Sequence, residues 1–325
     1  LIPAPANMYP ELKSLAHHKL RAQIIGKIRE FFANKNILEV DTHLMMPAPV
    51  TDPYLEAFGI YPKTYPKDKY YLQTSPEYAM KRLLCIDNGA IGSIYQICKA
   101  FRDEPIGPIH SMEFTMLEWY CLDFSYLDLI NQIKNLLKYI TSWPEAKTKT
   151  YQELFEEYLN FNPHIISEYN LIKIATDHKI LPINGLDNPS CDDILMLLFS
   201  KIIEPYFANK NPIFVIDYPE SQAALANLKD IKISNQQYKV AKRFELYYKN
   251  TELANGYDEL TDPEILLDRF KDDLKARKAQ NLSEVPIDYE LIDAMRSNKS
   301  NKSNTGLPKC AGVALGVDRL QLLCS

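Results

Sequence analysis

Three groups of polar residues stand where a plain apolar core would exclude them. Phe101–Arg102–Asp103–Glu104 closes one apolar stretch, and Glu113–Phe114–Thr115–Met116–Leu117–Glu118–Trp119–Tyr120 opens the next. Read as a strand, the second stretch puts Glu118 and Tyr120 on one face, beside Phe114 and Met116. A carboxylate among apolar neighbours needs a positive partner or a bound cation. Arg102 suits a phosphate, because its planar fork holds anions in a fixed orientation; it equally suits a structural Arg–Glu pair across a hairpin. The second group is Glu252–Leu253–Ala254–Asn255–Gly256–Tyr257–Asp258–Glu259–Leu260. Its Asn–Gly pair predicts a turn flanked by Glu252 and Glu259. Carboxylates meeting there would hold Mg²⁺, which shares its oxygen ligands with substrate phosphates, or would form a solvated acidic turn. The third group, Gly312–Val313–Ala314–Leu315–Gly316–Val317–Asp318–Arg319, predicts a buried strand running through Gly316 into a helix capped by Asp318. That helix start offers free N–H groups and a partial positive charge, to which Arg319 adds a full one.

The elements that must position these groups follow from periodicity. Leu20, Ile24, Ile28, Phe31 and Phe32 recur at helical spacing between Ala16 and Asn34. Ile37 to Met45 reads as a strand stopped by Pro47 and Pro49, and Tyr70 to Thr74 as another. Ser75 is the expected N-cap of a helix that has Pro76 in its first turn and runs to Cys85. Ser93 to Arg102 and Glu113 to Phe124 read as an antiparallel pair joined by the loop around Glu104–Pro105–Ile106–Gly107–Pro108. Residues 126–209 turn mostly helical and are expected to be an insertion within a single domain spanning 1–325. Strands resume at Ile213 to Ile216 and Val240 to Lys249, a charged helix covers Pro263 to Lys278, and Ser297 to Asn304 is a polar surface loop. Cys310 to Leu315 closes as a strand. Strands and helices in this order, with antiparallel turns, predict an α+β fold.

Composition narrows the class. The 325 residues are 46% hydrophobic and 24% charged, which excludes wholesale disorder and fibrous repeats. Ten Gly against 21 Tyr argue against a nucleotide fold built on many glycine loops. No apolar run approaches the ~18 residues of a membrane span. The first ten residues hold three prolines and no secretory signal pattern. The net charge of −5 weighs against a surface that grips nucleic acid throughout. Six cysteines without a CxxC pair read as reduced core thiols, which places the protein in the cytoplasm.

Together, the order and spacing of the three groups resemble the class II aminoacyl-tRNA synthetases. Phe101 to Glu104 with Glu113 to Tyr120 is similar to motif 2, Gly312 to Arg319 to motif 3 and Phe31 to Met46 to motif 1. Thr74–Ser75–Pro76–Glu77–Tyr78 and Glu252 to Glu259 resemble the amino-acid site of the lysyl branch. The resemblance runs from about Leu20 to Leu323 and is nearest to the paralogues that attach (R)-β-lysine to elongation factor P. A lysyl-tRNA synthetase carries an anticodon-binding barrel before motif 1. Only some 20 residues precede the first helix here, so tRNA is not the expected partner. Motif 3 has Ala314 where lysyl-tRNA synthetases have Gly, a change that would suit a shifted amino group. The chain departs from the family at His43, which replaces a proline of motif 1, and at Ser111, which replaces an asparagine of the motif 2 loop.

The resemblance implies ATP as substrate, Mg²⁺ as cofactor, a homodimer, and adenylate formation followed by transfer to a lysine ε-amine. By the same resemblance Arg102 holds the α-phosphate and Arg319 the γ-phosphate of ATP. Glu104 reads the adenine, Phe114 stacks on it, and Asp103, Ser111, Leu253 and Gly316 complete the nucleotide site. Glu252 ligates Mg²⁺ with Glu259. Ser75, Pro76, Glu77, Glu118, Tyr120, Asn255, Glu259 and Ala314 line the amino-acid site. His110 is a proton carrier or a hydrogen-bonding loop residue. Two other readings stand beside this one: a lysyl-tRNA synthetase core that charges tRNA, and an inactive regulatory paralogue. The second conflicts with the presence of Arg102, Arg319, Glu252 and Glu259.

Overall fold

The computed structural model describes residues 14–107, 109–182, 189–233, 236–296 and 306–324. The expected surface loop at 297–304 and the first ten residues lie outside them. The chain opens with α1 (Leu15–Ala33), whose buried Ile24, Ile28, Phe31 and Phe32 form the predicted apolar face. Short strands follow: β1 (Leu38–Glu39), β2 (Met45–Met46), β3 (Gly59–Ile60) and β4 (Tyr70–Leu72). The single strand expected over Ile37 to Met45 is therefore two pieces. β1 pairs with the main sheet, whereas β2 joins β4 and β3 in a small one.

After α2 (Glu77–Cys85), the strands β5 (Ile94–Phe101) and β6 (Glu113–Leu122) form the expected antiparallel pair. Between 126 and 209 come α3 (Tyr126–Ile140), β7 (Lys147–Thr150), α4 (Tyr151–Leu159), α5 (Glu168–Asp177) and α6 (Cys191–Leu198). A π-helical turn (Phe199–Ile203) and a 3-10 turn (Glu204–Phe207) extend α6. This region is mostly helical, as expected, but it also supplies a strand to the main sheet. β8 (Ile213–Pro219), β9 (Leu228–Ile233), β10 (Gln236–Tyr248) and β11 (Thr251–Asp258) come next. α7 (Pro263–Ala279), α8 (Tyr289–Met295), β12 (Cys310–Gly316) and α9 (Val317–Leu323) complete the described chain.

Among the described residues the large sheet runs β1-β5-β6-β12-β11-β10-β8-β7, with β9 paired to β10. Its end pairs, β1–β5 and β7–β8, are parallel and the rest are antiparallel. Alternation gives the sheet two different faces. Leu117, Trp119 and Cys121 of β6, Ala311, Val313 and Leu315 of β12, and Phe244, Leu246 and Tyr248 of β10 enter one core with α1, α3 and α9. The intervening residues face the other way. There a second cluster around α4 and α6 covers one end of the sheet, and a third around α2, α7 and α8 covers the other. Between them the sheet stays open as a cavity of about 1590 Å³.

Candidate active site

The cavity floor is built by three adjacent strands in fixed register. Asn255 of β11 lies opposite Ala314 of β12, which lies opposite Glu118 of β6. All three line the cavity, and so do Arg102, Glu104, Ser111, Phe114, Glu252, Leu253, Gly316, Arg319, Ser75, Glu77, Tyr120 and Glu259. Two expected residues do not. Asp103 is exposed just after β5, and Pro76 is buried at the start of α2. α2 begins at Glu77, one residue later than expected, with Ser75 Oγ accepting from the Glu77 N–H at 3.1 Å.

No turn forms at Asn255–Gly256; both residues lie inside β11. The glycine answers close packing instead. A Cβ on Gly256 would stand 2.4 Å from Phe244 Cζ and 2.8 Å from the Gly312 carbonyl oxygen. Uniform alternation would turn Glu252 to the same side as buried Ala254, away from Asn255. A β-bulge prevents this: Leu246 pairs with Ala254 and Tyr247 with Glu252, which leaves Leu253 as the extra residue. The bulge re-aims Glu252 into the cavity. Its backbone carbonyl accepts from Arg319 Nη1 at 2.8 Å, and its Oε2 lies 3.6 Å from the same nitrogen. Arg319 Nη2 lies 3.1 Å from His110 Nε2. Arginine only donates, so this ring nitrogen accepts, and His110 is a neutral hydrogen-bonding residue. Burial and the Arg319 charge both lower its pKa.

Asp318 does not cap α9, whose cap position is Gly316. Its carboxylate accepts from the Thr115 backbone N–H and from Arg21, tying α9 to β6 and α1. Arg102 lies over the Phe114 ring at 5.2 Å, with its Nε buried and unpaired among the described residues. Arg102 and Arg319 thus give one end of the cavity two guanidinium groups.

The other end is acidic. Glu118 Oε2 accepts from Ser75 Oγ at 2.6 Å and Oε1 from Tyr120 OH at 2.7 Å. Burial, and then the neighbouring Glu77, push its carboxyl up to about 7. Lys81 Nζ lies 2.7 Å from Glu77 Oε1 and 2.6 Å from Glu259 Oε2. Gly312 makes room for this group, since a Cβ there would meet Tyr120 at 2.3 Å and Glu259 Oε1 at 2.4 Å. Glu259 therefore belongs with Lys81, at the opposite end of β11 from Glu252. The expected shared metal site of Glu252 and Glu259 is corrected accordingly.

Glu252 has other acidic neighbours. Burial, then Glu252 and Glu245, push Glu204 at the end of the π-helical turn up to about 7. Among the described residues no three or more metal-ligating side chains are gathered to hold an ion by themselves. Carboxylates that hinder one another's ionisation fit Mg²⁺, which binds one or two carboxylates and takes further ligands from phosphates.

With this geometry in place, comparison with known proteins is informative. Residues 10–325 match the family described as tRNA synthetases class II (D, K and N). The chain belongs to this family. It is 41% identical over 322 residues to the elongation factor P–(R)-beta-lysine ligase of Pseudoalteromonas translucida, covering 98% of this chain and 94% of that protein. Proteins of the same name from Salmonella arizonae and Salmonella enteritidis are 39% and 40% identical over 306 residues, covering 93% of this chain and 89% of theirs.

Of the residues lining the cavity, the sequence named the motif arginines and the strand carboxylates as candidates but not Glu204, Arg243 or Glu245, nor Lys81, which pairs with Glu259. Glu245 is buried and accepts from Tyr218 OH at 2.6 Å, Tyr247 OH at 2.5 Å and Arg243. Arg243 lies over the rings of Tyr218 and Tyr257 and lines the cavity. The signal available was charge at alternate positions of an apolar strand, at Arg243 and Glu245, the pattern that singled out Glu118.

Proposed function

We propose that this protein is an AMP-forming ligase that activates (R)-β-lysine with ATP and transfers it to a lysine ε-amine of elongation factor P. The observation that carries the reading is one cavity in which Arg102 stands over Phe114 and Arg319 follows Gly316 at the start of β6, while Glu118, with Glu77 beside it, lies further along that strand. The names of its relatives supply the acceptor. A diamino acid fits across the gap, its ammonium groups toward the carboxylates and its carboxylate toward the arginines. In the first step a carboxylate oxygen attacks the α-phosphorus, forming the acyl–phosphate bond as the bond to pyrophosphate breaks. In the second the acceptor amine attacks the acyl carbon, forming an amide and expelling AMP, and the amine proton passes to solvent. Neither step requires an enzyme nucleophile, so positioning and charge stabilisation do the catalysis.

Arg102 neutralises charge at the α-phosphate, Arg319 holds the far phosphates, and Glu104 and Phe114 receive the adenine. Glu252, with Glu204 beside it, would hold Mg²⁺, which when bound would supply charge neutralisation to the leaving pyrophosphate. Ala314, between Asn255 and Glu118, narrows the floor where the amino group sits. A homodimer in the cytoplasm completes the proposal; exposed Leu38, Leu44 and Met45, in the segment that follows α1, support an interface there. Pyrophosphate exchange tests the reading. Exchange that requires (R)-β-lysine and Mg²⁺ is expected, and its absence with every diamino acid would refute activation chemistry.

A further inference from the structure

The second chemical step has a requirement that the first lacks. Adenylate formation moves no proton, whereas amide formation starts from an ammonium and sheds protons as its nitrogen bonds to carbon. A carboxylate beside the reacting bond meets that requirement. Asp52 offers one. It stands on the segment between β2 and β3, is half-buried and lines the cavity. Its Oδ1 accepts from the Tyr54 backbone N–H at 2.8 Å, and among the described residues it has no ion-pair partner.

The segment that carries Asp52 is held on three sides. Arg277 of α7, only 2% exposed, donates from Nη1 to the Asp52 carbonyl at 3.1 Å and the Leu55 carbonyl at 3.2 Å. Its Nη2 donates to Glu56 Oε2 at 2.6 Å, and Thr51 Oγ1 donates to Asp273 of the same helix at 2.6 Å. Just after β5, the Asp103 N–H donates to the Glu56 carbonyl at 2.9 Å, one residue beyond Arg102. Tyr54 OH reaches Asp193 of α6 at 3.4 Å. Burial raises the Asp52 carboxyl above its ordinary range; the Tyr54 N–H, Arg243 and Arg102 act to lower it, and Glu77 to raise it. Asp52 thus stands within electrostatic reach of Arg102, assigned above to the α-phosphate, and of Glu77, assigned to the amino acid.

We propose that Asp52 is a catalytic residue of the transfer step, which draws in the ammonium of the acceptor lysine and accepts the proton its nitrogen sheds as the amide forms. This rests on the acceptor proposed above. The ammonium first yields one proton to solvent. The amine nitrogen then bonds to the acyl carbon, and the carbon–oxygen bond to AMP breaks with its electron pair going to the phosphate oxygen. The second proton passes from nitrogen to Asp52 and from there to solvent.

The test separates the two steps. Asparagine still accepts from the Tyr54 N–H, so the segment keeps its hold while the charge is removed. Asp52→Asn should keep (R)-β-lysine-dependent pyrophosphate exchange within about 3-fold of the wild type, and lower kcat/KM for elongation factor P by about 100-fold. Hydroxylamine, which meets the acyl carbon uncharged at neutral pH, should give β-lysyl hydroxamate equally well with both proteins. Should Asp52→Asn not fold, Asp52→Ser, which also accepts from that N–H, takes its place. Exchange and hydroxamate that fall together with transfer would put Asp52 in the activation step and overturn the proposal, as would transfer at the wild-type rate. Wild-type protein that forms the hydroxamate and leaves the factor unmodified refutes the acceptor reading itself.

Discussion

Glu118 is the residue on which the amino-acid site turns. It accepts from Ser75 and Tyr120, has Glu77 and Lys81 as charged neighbours, and its carboxyl is pushed up to about 7. Ionised Glu118 attracts an ammonium group and protonated Glu118 does not. The KM for the diamino acid should accordingly fall as pH rises from about 6 to about 8. In Glu118→Gln that dependence should flatten, which initial-rate measurements at fixed ATP would show. At the other end, Arg319→Ala should reduce exchange by about 100-fold or more while leaving the acidic cluster intact. Ala314→Gly should shift preference toward α-lysine; unchanged selectivity would remove that residue from the specificity account. Glu118 was legible as a candidate because a carboxylate stands within the otherwise apolar run of β6. Lys81 was not, because its second partner lies 178 positions later and only the fold brings them together.

At the scale of elements, the bulge in β11 aims Glu252 into the nucleotide end. Deleting Leu253 makes Glu252 the direct neighbour of Ala254, so plain alternation would aim Glu252 into the cavity without a bulge. Retained exchange is the expected result of that deletion, and loss of exchange would show that Leu253 does more than supply the extra residue. Gly312→Ala should cost about 1–3 kcal/mol from overpacking against Tyr120 and Glu259, read by denaturant unfolding. Strand and helix identities along most of the chain followed from spacing alone. The Asn–Gly pair misled, because a dipeptide that favours a turn also serves where two backbones approach closely inside a sheet. The strand expected over Ile37 to Met45 divided because its two ends pair with different sheets, and β9 needed β10 to define it.

Over the whole molecule, a sheet with one sealed face and one open face carries the function. Helices α1, α3 and α9 close the first, and the two smaller clusters wall the cavity on the second. Keeping carboxylates in that cavity has a consequence for stability. Glu118 and Glu204 both have folded pKa values raised above the ordinary 4.5. The folded state thus holds protons that the unfolded chain releases. Their contribution is complete below about pH 4.5 and is lost as pH rises through about 7. The substrate-free protein should melt at lower temperature as pH rises across that window, and (R)-β-lysine should offset the fall by supplying the missing cations. The two-cluster layout was not legible in sequence, because which helix covers which sheet face depends on contacts between distant segments. The central claim is tested most directly by the intact mass of elongation factor P after incubation with this protein, ATP, Mg²⁺ and (R)-β-lysine. One added β-lysyl group, absent without ATP, is the predicted result. An unmodified factor beside charged lysine tRNA would contradict it.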